Sequence, residues 1–197
     1  ELRTDPRLQN ADLVIGFDYD GYGIDARTRP PMISSVHAIF GDVIQWETDP
    51  VRTMVVAQAF FDKVAMQQAE SVIVGSQYAK DRVVALYGVD PDKVEAIPHG
   101  MAPPRWLALA QAEARAANDH PVLLTMGKMY PRKRTNILIE AVGLLREKYP
   151  TIELRIAGDG LEWERLHELA DRIGVQQNIS WLNFLAPTSA AYAHEWR

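Results

Sequence analysis

Short runs rich in Val and Ile alternate with stretches whose apolar residues recur at helical spacing, and this alternation limits the possible folds of the 197-residue chain more than any other feature. The strand candidates are residues 12–16, 31–36, 71–75, 94–97, 122–126, 152–157 and 179–182, mostly bounded by Gly, Pro or Asp. Between them, Met54, Ala57, Phe61, Val64 and Ala65 share a helical face, as do Val83, Leu86 and Tyr87. Leu138, Val142 and Leu145 form a third such set, and Leu166, Leu169, Ala170 and Ile173 a fourth. Strand and helix alternating throughout predict βαβ units, an α/β fold of mostly buried parallel strands, and functional groups at the strands' carboxyl ends.

The alternation breaks once. After Ile97 come Pro98-His99-Gly100, then Pro103-Pro104, an Ala-rich stretch to Ala117, and Asn118-Asp119-His120-Pro121. This predicts two domains, residues 1–104 and 121–197, joined by a linker at 105–120. His99-Gly100 reads as a turn, Gly taking positive φ freely and His tolerating it better than most. With 47% apolar and 24% charged residues, a core can form without staples. The absence of Cys excludes disulfides, thiol catalysis and thiolate zinc sites. No apolar run approaches the roughly 18 residues of a membrane span, and the first twenty residues lack a leader's basic start and apolar middle. A cytoplasmic protein is expected.

The loop after the fifth strand, Gly127-Lys128-Met129-Tyr130-Pro131-Arg132-Lys133-Arg134-Thr135, places four cations within seven residues and then opens a helix. Cations beside a helix N-terminus oppose its dipole unless an anion joins them, so the loop is either a phosphate site or a solvated surface turn. It is not a Walker loop, because Val122 stands at the first Gly position and Met129 where Ser or Thr must bind magnesium. Nucleic acid is not expected as a partner: 21 Lys and Arg against 26 Asp and Glu leave a net charge of −5, and the basic run is confined to one loop. Gly158-Asp159-Gly160 sits where a dinucleotide fingerprint would, but Trp163 holds its third Gly position, so a tight strand-to-helix turn with Asp159 near an N-cap is the plainer reading. Asp18-Tyr19-Asp20-Gly21 fits a polar loop at a strand end, a carboxylate pair, or the nucleophile loop of haloacid-dehalogenase-like phosphatases. Among five His, only His37 directly follows a strand; His99 reads as a turn residue.

Residues 71–76 (Ser-Val-Ile-Val-Gly-Ser), Leu86-Tyr87-Gly88-Val89, Pro91-Asp92-Lys93-Val94 and Ile97-Pro98-His99-Gly100 resemble the end of the first domain in family-four retaining glycosyltransferases of the GT-B fold. Gly127-Lys128, Pro131, Lys133 and Glu140-Ala141 resemble that family's Gly-Arg…Pro…Lys-Gly…Glu-Ala segment, and residues 154–160 its Gly-Asp-Gly strand. The motifs are degenerate singly but keep order and spacing over residues 71–185. The resemblance implies two Rossmann-like parallel-sheet domains, both incomplete in this chain, and hexosyl transfer with retention in glycan biosynthesis. The donor is a nucleotide-diphosphate sugar, with no cofactor and no metal requirement. It implies a sugar, lipid or small-molecule acceptor, which allows peripheral contact with the inner face of a membrane. The family's cations on the donor diphosphate carry onto Lys128 and Lys133, with Gly127 and Arg134 beside them in the donor cleft, and its catalytic His onto His37. Lys128 keeps the family Arg's charge without its bidentate fork, and Arg134 replaces the usual Gly.

The family's Gly-rich acceptor loop lies upstream of anything in this chain, and its Glu pair beyond Arg197. Together with a first residue Glu1 rather than Met, this is expected of a central segment, inactive by itself. The alternatives are a phosphatase using Asp18 and Asp20, or a non-catalytic Rossmann-like binding module.

Overall fold

The computed structural model describes residues 5–100 and 119–186. The chain divides into two compact units, Glu1–Gly100 and Met101–Arg197. Most of the expected linker, residues 105–118, lies outside the described residues.

The first unit begins with a single turn α1 (Pro6–Gln9) and β1 (Val14–Phe17), followed by β2 (Met32–Val36), α2 (Phe40–Val43) and α3 (Val51–Gln68). It closes with β3 (Ser71–Val74), α4 (Gln77–Tyr87) and β4 (Val94–Ala96). All strand pairs are parallel and the sheet runs in chain order, β1-β2-β3-β4. The second unit holds β5 (Val122–Met126), α5 (Thr135–Leu145), β6 (Glu153–Ala157), α6 (Trp163–Arg172) and β7 (Ile179–Asn183), again parallel and in chain order. Every strand and helix read from the pattern within the described residues is present, while the helical reading of the Ala-rich stretch to Ala117 lies outside them.

The alternation is not complete. Between β1 and β2 there is no helix but a run of turns. The buried Arg29 side chain holds this connection: its guanidinium donates to the Gln68 carbonyl at 2.6 Å, at the last residue of α3, and to the Glu70 carboxylate at 3.0 Å, just past it. Glu70 in turn accepts from the Met32 N–H at 2.7 Å, so one ion pair aligns the β2 start with the end of α3.

The core of the first unit gathers Met32 and Val36 from β2, Met66 from α3, Val72 and Val74 from β3, and Val83 and Tyr87 from α4. The buried face of α3 differs from the expected one. Val51, Val55, Ala59, Asp62, Ala65 and Met66 are buried, whereas Met54 is 54% exposed. Apolar residues lie nearly all round this helix, so periodicity alone does not select the face, and the strands beneath it do. In the second unit Ile139 and Val142, Leu154 and Ile156, and Leu166 and Ala170 form a separate core. No described helix is long and apolar enough to cross a membrane.

Candidate functional site

Parallel strands bring their carboxyl ends together, and in the second unit those ends carry the loops singled out by the sequence. Gly127 follows β5, Gly158 follows β6, and the two loops are stitched by backbone hydrogen bonds, Gly127 N–H to Ala157 O at 2.9 Å and Met129 N–H to Asp159 O at 2.7 Å, while Gly158 N–H to Asn183 O at 2.7 Å ties the β6 loop to the end of β7. The approach is so close that a Cβ on Gly158 would lie 1.9 Å from the Gly127 carbonyl oxygen, and one on Gly160 2.6 Å from that of Met129. Both glycines have φ near 150°, so a side chain is excluded twice over.

This crossing leaves a pocket of about 270 Å³ lined by Met126, Gly127, Lys128, Asp159, Phe184 and Leu185. A smaller recess beside it, about 60 Å³, is bordered by both Lys128 and Lys133, with Gly127 and Thr135. Lys133 ends a 3-10 turn, Pro131–Lys133, that leads into α5. The N-cap of α5 is Arg134, with φ 57° and no capping side-chain bond. That left-handed geometry is where the resembling family carries Gly, and here Arg adopts it at a cost. The structure therefore brings Gly127, Lys128, Lys133 and Arg134 to one end of one βα unit.

Asp159 does not cap a helix. It reaches back to Lys128, Oδ1 to Nζ at 2.5 Å, and this hydrogen-bonded carboxylate raises the Lys128 pKa. The same ammonium lies 6.0 Å from the Phe184 ring centre. Lys128 thus already has a carboxylate partner, while Lys133 has no such carboxylate against it in any described contact. Sequence spacing alone does not reveal this pairing, because it depends on β5 and β6 being neighbours in register, Met126 against Ala157.

In the first unit His37 stands just past β2, as expected, and its surroundings were not legible beforehand. Asp18, at the β1 end with φ 48°, accepts on Oδ1 from the N–H groups of His37 (2.7 Å) and Ala38 (3.1 Å). The Phe17 ring lies 5.5 Å from the imidazole and Ser35 Oγ lies 3.4 Å from its Nε2. His99 stacks on His37 with centroids 4.9 Å apart and planes 12° apart. The pattern read His99 as a positive-φ turn residue with Gly100, but neither residue has positive φ; Asp18, Arg134 and Asn183 do. The signal for His99 was its place after a strand in a parallel sheet. Asp18, read as a candidate phosphatase nucleophile, instead spends an oxygen on holding the β2 loop, and Asp20 lies in the turn that follows, its N–H bonded to Phe17 O at 2.9 Å.

Two family models match the chain: Glycosyltransferase Family 4 over residues 3–105, and Glycosyl transferases group 1 over residues 109–194. A D-inositol 3-phosphate glycosyltransferase of Nocardia farcinica is 24% identical over 167 residues, covering 79% of this chain and 37% of that protein. A GDP-mannose-dependent alpha-(1-6)-phosphatidylinositol monomannoside mannosyltransferase of Mycolicibacterium smegmatis is 27% identical over 153 residues, covering 75% and 37%. The chain thus spans little more than a third of the length of these relatives. Among solved structures, WaaG, a glycosyltransferase involved in lipopolysaccharide biosynthesis, superposes with a TM-score of 0.66 at 18% identity, over 94% of this chain and 51% of that one. At that identity the likeness concerns the fold.

Proposed function

The chain belongs to glycosyltransferase family 4, and from that premise we propose that the protein transfers a hexose from a nucleotide-diphosphate sugar to an acceptor, with the anomeric configuration retained. One observation supports it above the others: Lys128 and Lys133 border a single recess at the carboxyl ends of β5 and β6, beside the N-terminus of α5. Breaking the bond between the donor sugar and the diphosphate leaves negative charge on phosphate oxygens. Two ammonium groups and the helix N-terminus stabilise that charge where it develops. Side chains supply the positive charge here, so the reading needs no metal ion and no cofactor. Gly127 leaves open space above its Cα at the same place, and Arg134 adds a cation to the loop. His37, held by Asp18, is the first unit's candidate for contact with the donor sugar. The acceptor is a sugar, a lipid-linked sugar or a small polyol, in keeping with the names of the relatives, and the cytoplasm, with peripheral membrane contact for a lipid acceptor, is the compartment proposed.

Calorimetric titration of the chain with UDP, GDP and ADP tests the diphosphate site. Each charge-assisted contact contributes about 1.5–3 kcal/mol, so Lys133→Ala is expected to weaken binding roughly tenfold to a hundredfold. Lys128→Ala weakens it less, because that ammonium gives up Asp159 on binding, and Asp159→Asn strengthens it. Arg155→Ala, which removes a cation already bonded to Glu153 at 3.0 Å, leaves affinity unchanged. Equal losses for all three cation substitutions, or no binding by the unsubstituted chain, would overturn the reading.

A further inference from the structure

We propose that His99 is the positioning residue that sets the ring plane of His37, and that Gly75 is the opening through which it does so. Strands β2, β3 and β4 are neighbours in that order. His37 follows β2, Gly75 follows β3, and His99 lies three residues beyond the end of β4. The Ile97 N–H extends the ladder to Val74 O at 2.8 Å, so the chain carrying His99 leaves the sheet next to β3. To stack on His37, the His99 ring therefore has to cross the end of the intervening strand. Gly75 is the residue it crosses. A Cβ there would lie 3.0 Å from His99 Nε2 and 3.3 Å from its Cδ2, tighter than ordinary packing, so a side chain at 75 pushes the ring away.

Backbone and ring of His37 are held by different devices. Asp18 Oδ1 fixes the main chain through the two N–H groups of His37 and Ala38. The imidazole plane is set by flat contact with His99, 12° from parallel, and by the tilted Phe17 ring. Stacking restrains a plane through its face and leaves the nitrogen-bearing edge open, whereas restraint by a hydrogen bond occupies a nitrogen. Nδ1 of His37 has no partner in any described contact, and Nε2 has only the long Ser35 contact. An imidazole required to meet a ligand edge-on is better held this way. The functional weight of the proposal rests on the reading of His37 as the group at the donor sugar.

The test is the set of imidazole carbon–proton signals of His37 in the 197-residue chain, assigned by loss in His37→Gln. His99→Ala is expected to abolish the cross-ring contact and the ring-current shift of the His37 signals, with the backbone amide spectrum otherwise kept. His99→Phe, which preserves a flat ring, restores the shift. Gly75→Ala reproduces the His99→Ala spectrum while His99 itself remains. His37 signals unmoved in His99→Ala would overturn the proposal, whatever Gly75→Ala does to folding. The donor-sugar reading fails separately, if His37→Gln leaves glycosyl transfer by an active protein containing this chain unchanged.

Discussion

Asp62 is a fully buried carboxyl on α3. Its Oδ2 accepts from the Phe40 N–H at 3.3 Å and the Tyr87 hydroxyl at 3.1 Å, while Oδ1 meets no hydrogen-bond donor. Burial pushes its pKa up to about 7, outweighing the two hydrogen bonds that favour the charged form. The folded state thus holds a proton that the unfolded chain releases near pH 4. The stabilisation is complete below the unfolded value and is lost as pH rises towards 7, by roughly 1.4 kcal/mol for each unit of pKa difference. Urea unfolding at pH 5 and pH 8 should show the unsubstituted chain losing stability between them, and Asp62→Asn losing much less. A second local cost sits at Arg134, whose φ of 57° suits Gly. Arg134→Gly is expected to raise stability by about 1 kcal/mol in the absence of nucleotide, read as a higher urea midpoint at unchanged slope.

At the scale of elements, the crossing of the β5 and β6 loops sets the tightest requirement on sequence. Gly158→Ala drives a Cβ against the Gly127 carbonyl, and neither backbone can retreat without breaking the Met129 to Asp159 or Gly158 to Asn183 hydrogen bonds. The expected cost is about 3 kcal/mol or more, with the second unit's tertiary signal, reported by the Trp163 and Trp181 environment, lost at lower urea. Gly127→Ala shares the strained φ but meets no atom within 4 Å, so it should cost distinctly less; the difference isolates the collision. Element identity was legible because Val- and Ile-rich runs and helical periods are local. Element facing was not: α3 is apolar on most sides, and its Asp62 is buried among partners brought from α4 and the start of α2.

For the whole molecule, charge is the relevant quantity. The chain carries a net charge of −5, with four of its cations confined to residues 128–134. One of these is paired with Asp159, and a local basic loop on an acidic chain offers no extended track along a phosphate backbone. Mobility-shift titration with duplex DNA at physiological salt should show no complex at protein concentrations where nucleoside diphosphates bind. A shifted band that is lost on adding salt would contradict this account of the loop.

What the sequence determined by itself is what depends on neighbours along the chain: the strands and helices, their parallel βα order, the division into two units, and the basic loop before a helix. The family resemblance belongs with these, since order and spacing of motifs carry it. Tertiary structure alone decided which groups meet. Lys128 and Asp159 are 31 residues apart, and only the β5–β6 register makes them an ion pair. His37 and His99 meet because β2 and β4 flank a strand that is followed at once by Gly75. The left-handed backbone at Asp18 is likewise held from elsewhere in the fold, through the His37 and Ala38 N–H groups past the end of β2. Local propensity is read within a few residues, whereas contact across a parallel sheet is fixed by strand order and register, which the whole core selects at once.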